Sequence, residues 1–325
     1  MRTIYNYAKY LATGKLNQID FIQMRNDYMV NKNRDIEICS WINSFIRPKL
    51  NIKKSTGLIG NLNELDVKKI VSSIDENGYY VFEKTASDKT LDSIKQFMET
   101  VPVTLRTTEG NGLVECDGYR RNAERSNRFD LQSLEYCNNN EDILKLITDE
   151  NFLHIANEYL NAKPILDIVT IWWNKQIPES LTVDKRNHLK SVSAQMFHHD
   201  MDRMKFIKFF LYVTDVDMKS GPHVFVRKSH RRSPEYILKD GRYSDELIEQ
   251  HAKKDVVYIS GKRGTIIAVD TRGLHKGLEV VEGERLLFQI EFTNSLFGKP
   301  DFPDFNLKLQ PKAAFKKVYS IYSKK

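Results

Sequence analysis

The chain has 325 residues, enough for one large domain or two small ones, and its hydrophobic content of 41% and aromatic content of 11% are those of a globular protein rather than a disordered one. No apolar run approaches the ~20 residues of a membrane span, and the N-terminus lacks the apolar core of a secretory signal. The three cysteines, Cys39, Cys116 and Cys137, are widely spaced and odd in number, which excludes a disulfide framework. We therefore expect a cytoplasmic protein.

The net charge of +7 at pH 7 suits nucleic acid, an anionic membrane or an acidic small molecule as the partner. However, the basic residues are spread along the chain and show no zinc-finger spacing or other nucleic-acid signature. We therefore expect a small-molecule substrate and no nucleic acid. An anionic substrate would account for the charge. The sequence does not indicate an oligomeric state.

The N-terminal half is predicted to be helical. Residues 1–55 are basic and show helical spacing in "IEICSWINSFI", and the polar stretch "NIKKSTGLIGN" indicates a boundary, so we predict a helical extension over 1–55 and one domain over 56–325. Next, "LNELDVKKIVSSIDENG" predicts an amphipathic helix that ends at Gly78, and "YYVF" predicts a short strand. "ASDKTLDSIKQFMETV" predicts a second helix, with Ser87 or Asp88 as its N-cap.

Beyond residue 160 short apolar runs alternate with turn residues. The runs are "ILDIVTIWWN", "FIKFFLYVTDV", "HVFVRKSH", "DVVYIS", "GTIIAVD", "LEVV" and "RLLFQIEFTNS". This pattern is typical of an antiparallel β-sandwich or barrel. The predicted fold class is therefore α+β, with a helical N-terminal region packed on a β domain.

The stretch "FHHDMD" concentrates two histidines and two acids just before a strongly apolar run. In a strand, residues two apart point to one face, so His198 and Asp200 point together and His199 points away. Two histidines and one carboxylate, with open positions opposite, are the ligand set of non-haem iron(II) that activates oxygen. Of the other histidines, His275 is the strongest candidate for the third ligand, because it follows the apolar strand "TIIAV" and can reach a barrel mouth.

Ten residues after His275, Arg285 opens a strand with clean alternation. One face is apolar, with Leu286, Phe288, Ile290 and Phe292, and the other carries Arg285, Leu287, Gln289 and Glu291. A buried arginine near a metal needs an anion, and its planar fork suits a carboxylate.

These motifs together resemble the phytanoyl-CoA dioxygenase family of iron(II)- and 2-oxoglutarate-dependent oxygenases. The resemblance is carried by "AQMFHHDMD", "YVTDVDMKSGPHVFVRKSHR", "DTRGLHKG" and Arg285, in that order. It is strongest over residues 190–292 and extends weakly to 61–100. One departure is Arg227-Lys228, which stands where the family has Pro-Gly before Ser-His.

The resemblance implies a double-stranded β-helix, or jelly-roll, core over about residues 160–295. It implies that His198, Asp200 and His275 bind Fe(II), and that Arg285 binds the distal carboxylate of 2-oxoglutarate. With O2 as the oxidant, such an enzyme hydroxylates an aliphatic C–H bond and releases succinate and CO2. Asp200 argues against a halogenase, for which the resemblance would predict a small residue there.

Three further residues are candidates for binding 2-oxoglutarate. Gln195 resembles a family position near the cosubstrate, and Asn174 ends a strand that should adjoin the site. Lys208 lies in the apolar "FIKFFLYV" and points inward if no bulge separates it from Asp200; a buried lysine needs an anion. Its alternative role is structural, with the ammonium group reaching the sheet edge.

Five residues are candidates for substrate binding. Arg121, Arg125 and Arg128 have helical spacing, and form either a solvated basic face or a clamp for a phosphate or carboxylate. Asp202 and Gln289 share the parity of the predicted site residues. A carbohydrate or natural-product precursor suits the chain better than an acyl-CoA, because we find no nucleotide-binding feature. The alternatives are a catalytically silent jelly-roll binding protein and a non-redox metal isomerase on the same barrel.

Overall fold

The computed structural model describes residues 2–31, 33–83, 85–108, 113–122, 125–320 and 322. The helices are α1 (Arg2–Thr13), α2 (Gln18–Asn31), α3 (Arg34–Ile46), α4 (Glu64–Asn77), α5 (Asp88–Thr100), α6 (Tyr119–Asn122), α7 (Glu141–Ile147), α8 (Glu150–Leu160), α9 (Val183–Val192), α10 (Asp245–Ala252) and α11 (Lys316–Tyr319). The strands are β1 (Lys54–Gly57), β2 (Gly60–Asn63), β3 (Tyr79–Phe82), β4 (Val103–Arg106), β5 (Leu113–Cys116), β6 (Arg128–Leu131), β7 (Ile165–Lys175), β8 (Phe206–Tyr212), β9 (His223–Val226), β10 (Val256–Ile259), β11 (Ile266–Val269), β12 (His275–Gly277) and β13 (Glu284–Thr293).

Local sequence signals define the helices that precede the sheet. The Asn63 side chain accepts hydrogen bonds from the first turn of α4 and completes a capping box, and Gly78 ends the helix with a φ of 95°, which glycine adopts without strain. Ser87 caps α5 by accepting from the Thr90 N–H. The predicted helices, their ends and the strand between them are thus confirmed.

Two antiparallel sheets form the β domain. The large sheet has the strand order β3-β11-β8-β13-β7-β6-β4-β5, and the small one has the order β10-β9-β12. Buried side chains from both sheets meet between them, including Phe210 and Leu287 from the large sheet and Phe225 and Ile259 from the small one. This arrangement is the predicted jelly-roll core, and the α+β class is confirmed.

The outer face of the large sheet is covered by helices. Phe288 and Ile290 of β13 belong to one buried cluster with Ile74 of α4, Leu91 of α5 and Phe152 of α8. Because alternate residues of β13 enter this cluster, the intervening residues face the space between the two sheets. The alternation predicted for this strand is confirmed, and it directs Arg285 and Gln289 inward.

One predicted strand does not form. The run "LEVV" has no strand assignment, because its backbone bonds to a turn instead of a neighbouring strand: Leu278 N–H donates to the Pro222 carbonyl and Val281 N–H to that of Lys219. The short strand β12 lies just before it. The domain boundary predicted after residue 55 falls within β1, which pairs with β2.

The three N-terminal helices pack on the segments that flank the predicted metal ligands. We call their shared group of buried side chains the N-terminal cluster; it includes Tyr7, Met24, Tyr28, Ile36, Cys39, Phe197, Met201, Met204 and Leu274. Within the described residues, no helix is long and apolar enough to cross a membrane.

Candidate metal centre

The backbone brings the three predicted ligands together from two segments. "FHHDMD" is extended without being a regular strand: His198 forms an isolated antiparallel bridge with His275, and the Asp200 N–H donates to the Thr271 carbonyl at 2.9 Å. Alternation therefore still applies, and it directs His198 and Asp200 to the same side. His199 points to the opposite side, where it contacts the aromatic rings of Tyr28 and Tyr243.

The ligand atoms of His198, Asp200 and His275 all lie within 4.8 Å of one another. Asp200 is 3.5 Å from His198 Nε2 and 3.3 Å from His275 Nε2. The Nδ1 atom of each ring lies 2.9 Å from a backbone carbonyl, that of Met196 for His198 and that of Gly273 for His275. Donation from Nδ1 to these carbonyls leaves both Nε2 lone pairs directed at the same point, as metal ligation requires.

Burial and charge fix the ligands in their metal-binding protonation states. Burial, assisted by His275, lowers the pKa of His198 to about 3, so its imidazole is neutral. Burial alone would raise the pKa of Asp200, but Lys208 and His275 outweigh it and hold the pKa well below its usual value. A neutral imidazole beside an ionised carboxylate is the donor chemistry that Fe(II) needs.

Lys208 lies beneath the carboxylate of Asp200. Its Nζ is 2.6 Å from Asp200 Oδ2 and 3.3 Å from the buried carboxylate of Glu291. The two acids outweigh burial and raise the pKa of Lys208, so the ammonium group remains charged. The inward orientation predicted for this lysine is confirmed. Among the described residues its anionic partner is Asp200, because burial raises the pKa of the neighbouring Glu291 well above its usual value.

Arg285 is buried, with 3% of its surface exposed, and lies near the three ligands. Its Nη2 donates to Asn174 Oδ1 at 2.8 Å, and Asn174 also accepts from the Trp172 indole. Among the described residues, no hydrogen-bond partner contacts Arg285 Nε, and burial lowers the pKa of this guanidinium to about 10. A buried cation without a paired carboxylate matches the anion that 2-oxoglutarate would bring.

The backbone at Gly277 lies close to this guanidinium. A Cβ atom built at Gly277 would lie 3.0 Å from Arg285 Nη2, so a larger residue at position 277 would displace the end of the arginine side chain. Glycine at position 277 therefore leaves room for the Arg285 guanidinium group.

A cavity of about 450 Å³ connects these groups between the two sheets. The predicted residues that line it are His198, Asp200, His275, Arg285, Lys208, Arg128, Asp202 and Gln289. Its size suits a small-molecule ligand. The three ligands and Arg285, the residue predicted to bind 2-oxoglutarate, thus line one cavity.

Three of the predicted residues whose side chains the structure describes do not line this cavity. Gln195 and Asn174 lie behind it: Gln195 accepts from Asn127 at 2.9 Å, and Asn174 supports Arg285. The side chain of Arg121 lies outside the described residues. Arg125 is exposed and donates to Asn122.

The helical face predicted for Arg121, Arg125 and Arg128 is wrong. Helix α6 ends at Asn122, and the chain turns at Ser126, whose hydroxyl accepts from the Arg128 N–H, before β6 begins at Arg128. Spacing alone suggested one helix, but strand pairing with β4 and β7 determines the conformation of this segment.

Sequence reasoning missed several cavity residues. Arg106 and Arg242 lie in a short strand and a loop that carry no motif, whereas His223 was only one of several candidate ligands. The His223 ring stacks on His275 with 5.6 Å between centroids, and its buried Nε2 contacts no hydrogen-bond partner within the described chain. Strand alternation in "HVFV" was the available signal, since it places His223 and Phe225 on one inward face.

Comparison with known proteins identifies the family. The sequence model of phytanoyl-CoA dioxygenase matches residues 74–281, more than half of the chain. This chain belongs to the phytanoyl-CoA dioxygenase family. Comparison with curated proteins gives no significant sequence match.

Solved structures similar to this family member are distant in sequence. The non-haem α-ketoglutarate-dependent epimerase SnoN from nogalamycin biosynthesis has a TM-score of 0.50 and 13% identity, over 71% of this chain and 84% of that chain. EctD from S. alaskensis with bound Fe has a TM-score of 0.49 and 14% identity, over 82% and 92%. HygX from Streptomyces hygroscopicus with nickel and 2-oxoglutarate bound has a TM-score of 0.46 and 12% identity, over 74% and 91%. The match to SnoN supports the fold.

Membership of the phytanoyl-CoA dioxygenase family confirms the predicted resemblance and the predicted cofactor class, Fe(II) with 2-oxoglutarate. The residues present fit that class. His198 is neutral and Asp200 is ionised beside His275. Arg285, which has no anionic partner among the described residues, lies in the same cavity.

Proposed function

We propose that this protein is an iron(II)- and 2-oxoglutarate-dependent dioxygenase that hydroxylates an aliphatic C–H bond of a small metabolite and releases succinate and CO2. The observation that carries the proposal is the presence of the His198, Asp200 and His275 group in the same cavity as Arg285, which has no acidic partner among the described residues. A jelly-roll protein that only binds a ligand has no need for this combination, and a non-redox isomerase has no need for Arg285.

In this proposal each residue has a defined task. His198, Asp200 and His275 hold Fe(II), and Arg285 binds the distal carboxylate of 2-oxoglutarate by charge-assisted hydrogen bonds. Asn174 orients Arg285, and Gln195 supports the same wall through Asn127. Iron and 2-oxoglutarate, when bound, would supply the activation of O2 that side chains cannot provide, with O2 as the oxidant and 2-oxoglutarate as the source of two of the electrons it takes up.

The protein's own contribution is to control charge and water. Lys208 keeps Asp200 ionised as a ligand and lies 3.3 Å from the buried carboxyl group of Glu291. Trp172, Phe210 and Leu287 line the cavity and exclude water around the substrate carbon. Gln289 and Asp202 remain candidates for binding substrate hydroxyl groups. A carbohydrate or natural-product precursor fits a cavity of about 450 Å³.

Iron binding and cosubstrate turnover test this function together. We expect the wild-type protein to bind one Fe(II) and one 2-oxoglutarate per chain under anaerobic conditions, and to form succinate when oxygen and ascorbate are added. The Asp200→Ala variant should lose iron binding and succinate formation while keeping its fold, because Glu291 stays 3.3 Å from Lys208 and can ionise beside it. The matched control is Asp255→Ala, at an acid whose side chain is 51% exposed and does not line the cavity.

The result that contradicts the proposal is a wild-type protein that binds neither iron nor 2-oxoglutarate. Succinate formation that survives in Asp200→Ala would equally reject the assigned ligand set. An oxygen-independent isomerisation would identify the non-redox alternative.

A further inference from the structure

The cavity has a second cationic group, away from Arg285. It consists of Arg106 at the end of β4, Arg128 at the start of β6 and Arg242 in the loop before α10, and all three line the cavity. We call it the arginine group. It comes from three separate elements, so no single local motif explains why its members lie together.

One carboxylate serves two of these arginines. Asp130 accepts from Arg106 Nε at 3.1 Å and from Arg128 Nη2 at 2.7 Å. Arg106 follows Leu105, which pairs with Phe129, so the two arginines lie side by side on neighbouring strands, where like charges are unfavourable. Burial lowers the pKa of Arg106. The positive charge of Arg128 lowers this pKa further, and the opposing effect of Asp130 is too small to restore it.

The other arginine has no acid of its own. Arg242 makes no hydrogen bond or ion pair with any described residue. The arginine group therefore has three positive charges, and among the described residues Asp130 is the one acid that its members bond to. Asp200 and Asp240, whose charges also act on Arg242, are paired with Lys208 and Arg25. Burial and the charge of Asp200 raise the pKa of Asp202, the remaining acid in the lining apart from Asp200, against the opposing charge of Lys208.

We propose that the arginine group binds a dianionic end of the substrate, such as a phosphate monoester. This inference rests on the proposed function and deepens it by naming the substrate class. Three arginines in excess of one acid suit a doubly charged oxyanion, which Arg242 and the guanidinium nitrogens not bonded to Asp130 would bind through charge-assisted hydrogen bonds.

The register of the sheet relates this end of the cavity to the cosubstrate end. Arg128 pairs with Asn174 on β7, and Asn174 pairs with Arg285 on β13. Arg128 and Arg285 therefore start two strands apart, about 10 Å at the backbone. The side chains of Ile168, Trp172 and Leu287 line the cavity beside them and offer an apolar surface to the carbon skeleton.

The test uses sulfate as a dianionic probe and acetate as a monoanionic one. Each is titrated calorimetrically into the anaerobic protein loaded with Fe(II) and saturating 2-oxoglutarate, at constant ionic strength. We expect saturable binding of one sulfate and weaker binding of acetate. Arg128→Gln and Arg242→Gln should each weaken sulfate binding at least tenfold, about 1.4 kcal/mol, while the affinity for 2-oxoglutarate stays unchanged.

Arg232→Gln is the matched control, because it removes the same charge from a side chain that is 61% exposed and outside the cavity lining. Wild-type protein without saturable sulfate binding would overturn the inference, as would equal weakening in Arg232→Gln. Arg242 is exposed, so its variant should fold even if Arg128→Gln does not. If wild-type protein binds no 2-oxoglutarate, the proposed function fails, and the same comparison in metal-free protein still decides whether the arginine group binds a dianion.

Discussion

Two adjacent histidines, His198 and His199, have opposite surroundings. His198 directs Nε2 towards Asp200, whereas His199 Nδ1 lies 2.5 Å from the Arg272 carbonyl on the other side of the segment. His199 also packs edge to face on Tyr28, with 5.6 Å between ring centroids. Sequence parity therefore separated the two histidines correctly, even though the segment is not a regular strand.

Alanine substitutions at these two positions should have different consequences. His198→Ala removes a ligand atom, so we expect Fe(II) affinity to fall at least about 100-fold with little change in melting temperature. His199→Ala leaves a cavity and removes one of the two hydrogen bonds to the Arg272 carbonyl, which should cost about 2–5 kcal/mol of stability while iron still binds. Calorimetric iron titration and thermal unfolding measure the two effects. The reverse pattern would show that the ligand assignment is wrong.

The orientation of Lys208 could be predicted from the sequence, but its partners could not. Alternation predicted that this lysine points inward and needs an anion, and both statements hold for the folded chain. Its partners, Asp200 and Glu291, come from different segments, and the distances that select them depend on the pairing of β8 with β13. A contact between Lys208 and 2-oxoglutarate stays a prediction.

The loop between β11 and β12 delivers His275 to the site. Asp270 anchors this loop, since its fully buried carboxylate accepts hydrogen bonds from the Arg272 side chain and from the Tyr159 hydroxyl. Burial alone would raise the pKa of Asp270, but Arg272 outweighs it and leaves the pKa below its ordinary value. The ion pair therefore holds the loop in a single arrangement at neutral pH.

Removing this anchor should destabilise the protein in a pH-dependent way. Asp270→Asn leaves Arg272 buried without its main anion, so we expect a loss of about 3–5 kcal/mol at pH 7 and weaker iron binding through a displaced His275. Because the folded pKa is depressed, the wild-type contribution is present above the ordinary value of 3.8 and is lost as the pH falls through the folded pKa. The difference between variant and wild type should therefore shrink in acid.

Urea unfolding of both proteins between neutral and acidic pH measures this difference, and Asp255→Asn, at an acid whose side chain is 51% exposed, is the control. A stability difference that does not change with pH would contradict the role given to the Asp270 carboxylate.

Helices and strands whose conformation depends on neighbouring residues in the chain were predicted correctly from the sequence. Helices α4 and α5 carry their own caps, and β13 carries a clean alternation, so all three were predicted correctly. Two segments were predicted wrongly, because their backbone partners lie in distant parts of the chain. They are the segment that contains Arg121, Arg125 and Arg128, and the run "LEVV". The cavity residues Arg106 and Arg242 were missed for the same reason.

The N-terminal helices pack against the segments that carry the candidate metal ligands. Tyr28 of α2 is fully buried in the N-terminal cluster, and its hydroxyl donates to the Arg272 carbonyl at 3.0 Å. The same cluster contains Phe197 and Leu274, each of which precedes a candidate ligand in the chain. Whether residues 1–55 form a separate extension stays a prediction, but their helices support the segments that carry His198 and His275.

This support predicts a coupling between the N-terminal helices and metal binding. Tyr28→Ala should cost about 3–5 kcal/mol, because it leaves a large cavity in the N-terminal cluster, and it should weaken Fe(II) binding by loosening the segments that hold His198 and His275. Tyr5 of α1 is 71% exposed, so Tyr5→Ala is the matched control and should stay within about 0.5 kcal/mol of wild type. Thermal unfolding with and without Fe(II) measures both effects. Full iron affinity in a folded but destabilised Tyr28→Ala protein would show that the helices stabilise the chain without positioning the ligands.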